Sequence, residues 1–555
     1  MATIPEVNTS QHQNIKTQLK NSKIAETKRS NRLAYIIIAF NQGLASLSDL
    51  AVSYYFKDEL KIEPAKLSQI MSFIAIPWML KPLYGLLTDT TPLCGYRRKF
   101  YIMICGVLNI LCWLTLSLHT LNETGASFLL FCINSGLAFS TVLGEAIVVE
   151  LSNLEQIEQD DDDAKDYVSM FFFCKYLGAL SSSFMKGVLV EYFTLRQVFL
   201  IASVVPILLV ISGCVLIEKR VGSKYREDQP STHLNNSIAN PQEHSEHNTT
   251  SRSIPPTTLI SDFFVFLFQK KVLIPTTFII LFMATPSFGD PYFYFLTNEL
   301  KLTPTNLGTI SFFSNIMILI AIWSYKKWFK SVNFKTMIIG GTILSFFFSF
   351  LAYVLVMRWN TKLGINDFIL CLFSSTVLSM IGEFIMMPML ALACQMCPKN
   401  LEGTVYSFFM SSLNFGGIMS GLLGSFFTSS LGITSKSYTN LHILILISNF
   451  STLAPLPILY CIDGSYFEGK VNDEDEENKP LTGPNAETNK ENIEGYGAIG
   501  EVVKKEDKEA DLEKNDNASR LSTGSRGSNS RKSDKLKVET DNIIEDISFD
   551  KSKKM

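Results

Sequence analysis

YFKDELKIEPAKLSQI at residues 55–70 aligns without a gap on FLTNELKLTPTNLGTI at residues 295–310, an offset of 240. Tyr54 falls on Tyr294, Glu59 on Glu299, Lys61 on Lys301, Pro64 on Pro304 and Leu67 on Leu307. The match lies in a polar turn between apolar runs, where bulk hydrophobicity cannot create it. Further along, Gly144-Glu145 matches Gly382-Glu383 at an offset of 238. Self-similarity at a fixed spacing is the mark of a duplicated unit.

The composition names the solvent of that unit. The chain has 555 residues, 47% of them apolar, and 41 Phe against 52 acidic and 49 basic residues. Such a balance points to a bilayer. A helix needs roughly 20 apolar residues to cross a hydrocarbon core of ~30 Å. Twelve such runs follow one another, at 33–56, 68–88, 100–120, 126–150, 167–190, 196–217, 272–296, 306–325, 335–357, 367–396, 403–429 and 440–462. The expected fold is therefore an all-α integral membrane protein of twelve transmembrane helices. Its two six-helix halves repeat in parallel orientation, which is the plan of the major facilitator fold, with a site between the halves near the midplane. The halves run 33–217 and 261–462. Residues 1–32, 218–260 and 463–555 lack the apolar content for a core and are expected to be a disordered cytosolic tail, linker and tail. Within the second half, SDFFVFLF (261–268) reads as a short interfacial helix.

Other classes are excluded in turn. A net charge of −3 offers no field for nucleic acid. The first 32 residues are polar and carry no apolar core of a signal peptide. Cys394 and Cys397 form a C-x-x-C, but zinc would need two more ligands nearby, and the other cysteines sit in spans or at their edges. No phosphate loop for ATP is present. No cofactor, no metal and no enzymatic activity are expected.

Lys and Arg set the orientation. They cluster in the first tail and after the second, sixth and eighth spans, at Arg97, Arg98, Lys99, Lys219, Arg220, Lys326 and Lys327 among others. Both termini are then cytosolic. The sequons at Asn235 and Asn248 face the cytosol, and the one at Asn122 lies too near the membrane for use. The plasma membrane is the expected location, with an organelle membrane as the alternative.

The stretch IPWMLKPLYGLLTDTTPLCGYRRK (76–99) carries a lysine inside an apolar run and then a loop holding Gly85, Asp89, Gly95, Arg97 and Arg98. Glycine lets helix ends approach, and a carboxylate can cap a helix or pair with arginine across the loop. This is the expected cytosolic hinge, against the plainer reading of a positive-inside loop.

Ionisable groups inside a bilayer cost several kcal/mol or about that, and so mark function. Glu145 and Glu383 hold equivalent places in spans 4 and 10. Each is a candidate proton carrier, or else the structural partner of a lysine across the bundle. Lys81 and Lys175 are the candidate lysines, for a substrate carboxylate or for those glutamates; Lys81 could instead snorkel to the interface. Asp49 and Asp290, one residue out of register, are outer-gate contacts or helix-end residues. Trp78, with Tyr54, Tyr292 and Tyr294, could stack on a planar ring, although interface belts use the same residues. Gly416, Gly417, Gly421, Gly424 and Gly178 are read as close helix packing.

PWMLKPLYGLLTD with GYRRK, YYFKDELKIEPAKL, and above all MPMLALACQMCPKNLEGTVYSFFMSSLNFGG (387–417) resemble the folate–biopterin transporter family of the major facilitator superfamily. In the last segment Pro388, Cys397-Pro398-Lys399, Glu402-Gly403-Thr404, Ser411 and Asn414-Phe-Gly-Gly stand as the family pattern has them. The matches cover most of 45–460. Where the family usually has an Asp-centred motif in span 4, this chain has GEAIVVE (144–150), with Glu145 in the acidic place. The Phe- and Asn-rich composition resembles parasitic-protist members. The resemblance implies a secondary transporter of folate, a pterin or a related anionic metabolite, working by alternating access as a proton symporter, with Asn414 at its site. Two alternatives stand beside it. One is a same-fold transporter of an amino acid or methionine derivative, and the other is a non-transporting membrane receptor or scaffold.

Overall fold

A computed structural model describes residues 9–157, 161–218, 220, 269–329, 332–395 and 402–462. The expected linker apart from Glu218 and Arg220, the C-terminal tail, the interfacial helix at 261–268 and the C-x-x-C at Cys394 and Cys397 lie outside the residues whose side chains it describes. Among the described residues the named elements are all helices, and nine helices are long and apolar enough to cross a membrane. The other three expected spans also fall on helix, at Asp161–Tyr192, at Lys270–Met283 with Gly289–Tyr294, and at Glu402–Ser430. The helices keep the numbers of the expected spans they fall on.

The repeat read in sequence is a repeat of backbone. Span 1 ends in one π-helical turn at Tyr55–Glu59 and span 7 in one at Phe295–Glu299. The turns close with the same bonds: Leu60 N–H to Tyr55 O at 3.0 Å and Ile62 N–H to Phe56 O at 2.9 Å, against Leu300 to Phe295 at 3.1 Å and Leu302 to Leu296 at 3.0 Å. Lys61 and Lys301 both adopt φ of 54°, a left-handed conformation unusual for a side-chain residue. Pro64 and Pro304 then start spans 2 and 8, where a missing N–H costs nothing.

Two differences from the expected boundaries have physical causes. The first helix begins at Thr9, inside the stretch read as a disordered tail, because residues 9–32 hold no Gly or Pro and many good helix formers. Span 2 is two helices, Pro64–Met79 and Lys81–Thr90, because Pro77 and Pro82 each remove a backbone donor, one on either side of the break.

Spans pack closely where side chains are missing. A Cβ on Gly43 of span 1 would collide with the backbone of Lys175 and Gly178 in span 5. The equivalent contact in the second half sets Gly416 of span 11 against Met283 of span 7. Gly187 of span 5 lies against Gly308 of span 8, and Gly421 of span 11 against Ser72 of span 2. These two pairs, 5 with 8 and 2 with 11, join the halves. Gly417 has open space around it, so it does not belong with the packing glycines.

Candidate functional site

Both first helices of the halves are interrupted at the same depth. Span 1 tightens to a 3₁₀ turn at Ala45–Ser48 and restarts at Asp49. Span 7 breaks across residues 284–288, where Pro286 cannot donate, and restarts at Gly289. Span 11 satisfies that second break: Ser287 N–H donates to Ser420 O at 3.1 Å, and the Ser420 hydroxyl to the Thr285 carbonyl. Irregular backbone at membrane depth is tolerated where protein or a water-filled cavity covers it. Against the first break lies a cavity of about 510 Å³, lined by Asn41, Asp49, Trp78, Asn109, Lys175 and Asp290 among others. All of its lining except Asp290 comes from the first half. The volume is that of a site for a small metabolite.

Four of the expected charges gather around Lys175, which lies on the cavity wall. Lys81, 4% exposed, does not snorkel. It donates to Glu145 Oε1 at 3.1 Å, and its ammonium stands 5.5 Å from the Trp78 ring. Lys175 feels Lys81, Glu145 and Glu383 electrostatically and lies 5.8 Å from the rings of Phe172 and Tyr176. It forms no direct ion pair among the described residues. Tyr176 donates to Glu383 Oε1 at 3.4 Å, linking span 5 to span 10. Asn414 donates from Nδ2 to the Trp78 carbonyl at 3.0 Å, linking span 11 to span 2. Tyr176 and Asn414 stand 238 residues apart, as do Glu145 and Glu383, so the two cross-half bonds come from equivalent positions.

Asp49 opens onto the cavity with Lys186 as its electrostatic neighbour. Asp290 accepts from the Ser68 hydroxyl at 2.6 Å, a bond between span 7 and span 2. Toward the Lys61 end the halves are sealed. Tyr294 donates its hydroxyl to Ile62 O at 2.5 Å, Ser425 to Ala65 O at 2.7 Å, and Ser435 N–H to Glu63 at 2.7 Å. Lys57 lies 5.3 Å from the Tyr54 ring and 5.9 Å from the Tyr294 ring, so these tyrosines close the end rather than line the cavity. Tyr292 stacks on Phe295 away from it.

At the opposite end the loop after span 2 is organised by a residue that the sequence did not single out. Glu218, at the end of span 6, accepts from the backbone N–H groups of Arg97, Arg98 and Lys99 at 3.0, 3.1 and 3.2 Å. It thus caps the start of span 3, where helix donors are unpaired and a negative charge is favoured. Arg98 pairs with Glu150 of span 4. Gly95 takes φ of 82°, a conformation that favours glycine, and a Cβ there would also strike Arg220. Gly85 faces Val142 of span 4. The side chain of Asp89 lies outside the described residues.

The sequence reading also passed over a set of carboxamides. Asn134 accepts from Trp78 Nε1 at 3.0 Å and donates to Leu130 O at 3.0 Å, which fixes the indole. Asn41, Gln42 and Asn109 line the same cavity. Their signal in the sequence is an amide inside an apolar run.

Comparison with known proteins bears on the family and the fold. The chain is 31% identical over 446 residues to the folate-biopterin transporter of Synechocystis, covering 80% of this chain and 84% of that protein. It is 32% identical over 433 residues to folate transporter 1 of Plasmodium falciparum, covering 78% and 79%. Among solved structures, a D-xylose–proton symporter superposes with a TM-score of 0.56 at 12% identity, over 80% of this chain and 99% of that one. The nucleoside transporter NupG superposes with a TM-score of 0.55 at 15% identity, over 79% and 100%. Both likenesses show the fold of major facilitator transporters. A model of the BT1 family matches residues 42–482, and the chain belongs to that family.

Proposed function

We propose that this protein is a secondary transporter of folate, a pterin or a related anionic metabolite, driven by protons and working by alternating access. The observation that carries the reading is Lys175. It lies on the cavity wall without an ion pair of its own, which is what a substrate carboxylate would meet. Its neighbours Glu145 and Glu383 belong to different halves, so a proton taken by either changes the balance of charge across the interface that must rock. The names of its relatives support the substrate class. In this reading the sealed Lys61 end is the outer gate, both termini are cytosolic, and the membrane is the plasma membrane.

Uptake of labelled folate and biopterin into liposomes holding the purified protein tests the reading. Saturable uptake that rises with an inward proton gradient is expected. Lys175→Gln should raise KM about tenfold, the value of one charge-assisted bond, with little change in maximal rate. No uptake of either compound at any gradient would overturn the substrate class. A KM unchanged in Lys175→Gln would remove Lys175 from the site.

A further inference from the structure

We infer that Asn41, Gln42 and Asn109 form a shelf that recognises the donor edge of a planar heterocycle, namely a ring N–H beside an exocyclic amino group. The proposal rests on the substrate class above and assigns its ring, as Lys175 assigns its anionic tail. Asn41 and Asn109 are each 2% exposed, and both line the cavity. The side-chain oxygens of all three residues are buried without a hydrogen-bond partner. An amide oxygen buried without a donor costs about 1–3 kcal/mol. Three on one cavity wall are tolerated where something that enters the cavity supplies the donors. An aminopyrimidinone edge supplies adjacent N–H donors, and a carboxamide oxygen is their natural acceptor.

The surroundings suit a flat ring. Trp78 and Trp113 line the same cavity, and the Trp78 indole is held in place by Asn134. The shelf is also built rather than incidental. A Cβ at Gly136 would strike the Asn109 carboxamide, its Oδ1 first, so span 4 leaves out a side chain beside that oxygen. Gln42 is followed by Gly43, which lies against the Lys175 carbonyl. Shelf and cation therefore share one stretch of wall, and a ring and its anionic tail can bind side by side.

The test uses the full-length protein in detergent, with binding read by tryptophan quenching. The probes are folic acid and its 2-desamino-2-methyl analogue, which keeps the tail and loses the amino donor. The wild type should bind folic acid at least about tenfold tighter than the analogue, the value of about 1.4 kcal/mol. Gln42→Leu and Asn109→Leu should each weaken folic acid more than the analogue, which keeps the ring N–H, and the one that accepts from the amino group should shrink that ratio to about twofold or less. Gln42 is only half-buried, so its variant keeps the test sound if Asn109→Leu fails to fold. Equal affinity of the wild type for both probes overturns the shelf and leaves the transporter reading intact. So does a ratio that persists in both variants, or an equal loss of both ligands, which would make the amides partners of water or of the fold. A wild type that binds neither probe overturns the substrate class and the shelf with it.

Discussion

Glu145→Gln is the substitution that separates coupling from architecture. The Lys81 side chain is 5% exposed and that of Glu145 39%, with 3.1 Å between Nζ and Oε1. Removing one partner of a fully buried pair costs about 3–5 kcal/mol. Here the carboxylate is partly exposed, and glutamine still offers an acceptor, so the loss is nearer the worth of one charged hydrogen bond, about 1.5–3 kcal/mol. That is less than the 5–15 kcal/mol by which folded domains are usually stable, so the variant should fold and melt at a lower temperature in detergent. Lys81→Met in the same chain should restore much of the loss, because no buried ammonium is then left unpaired. The functional expectation is separate. With the proton site gone, substrate exchange between the two sides should persist while gradient-driven uptake collapses. Gradient-driven uptake at the wild-type rate in Glu145→Gln would refute the coupling role. Unchanged melting would refute the structural one. Glu383 is the internal comparison, since its bond is from the neutral Tyr176 hydroxyl, and Glu383→Gln should melt close to the wild type.

Further expectations follow from the two ends of the bundle. Tyr294→Phe removes the bond to Ile62 O, worth about 0.5–1.5 kcal/mol. It should raise the fraction open at that end about two- to tenfold, read as the labelling rate of a cysteine placed at Ser53 by a membrane-impermeant maleimide; an unchanged rate would mean the bond does not hold the gate. Glu218→Ala strips three backbone donors of their acceptor at the start of span 3, at about 0.5–2 kcal/mol for a lost cap. Together with Arg98→Ala it should slow turnover more than it weakens substrate binding, and the reverse pattern would place this loop on the substrate path. Asn122 Oδ1 accepts from the Gly125 N–H at 2.9 Å as a helix cap, so no glycosidase-sensitive mass shift is expected from it, nor from Asn235 or Asn248 if both termini are cytosolic.

The scaffold was legible in the chain because it is duplicated. A repeated polar turn between apolar runs has few explanations, and the structure returns it as the same π-turn, the same left-handed lysine and the same proline start. The charged residues were legible one at a time, because an ionisable group in an apolar run stands out. Their partners were not. Lys81 and Glu145 are 64 residues apart, and nothing local says which lysine meets which glutamate. Glu218 was invisible for another reason: its cap is made to backbone N–H groups, and a backbone donor leaves no trace in the sequence. The carboxamides were overlooked because a neutral amide among apolar residues can be satisfied by its own helix, as Asn134 is in part at Leu130 O. Only the fold shows which amides have an oxygen left over.

What the two halves share and what they do not share divides the molecule by task. Gly43 against Gly178 repeats as Met283 against Gly416, and the pairing of spans 5 and 8 repeats in spans 2 and 11. These contacts set how the halves rock, and rocking requires equivalent surfaces on both sides. The lysines are not repeated. Lys81 has Ala321 at its equivalent place, and Lys175 has Leu413 at the 238-residue offset. Of the ionisable groups discussed here, the second half brings Glu383 and Asp290 to the interior, and each is tied across the interface by a hydroxyl, from Tyr176 and Ser68. In the proposed transporter, recognition then falls to the first half, and the second contributes carboxylates whose bonds must break for the halves to part. Such a transporter would change its substrate by altering the first half alone. Exchanging residues between the halves should accordingly be asymmetric: lysine at Leu413 should not create a second anion site, because no cavity lining other than Asp290 comes from that half, and unchanged KM and substrate preference in Leu413→Lys are the expected result. A new preference for more highly charged substrates in that variant would show that the second half also forms part of the binding wall.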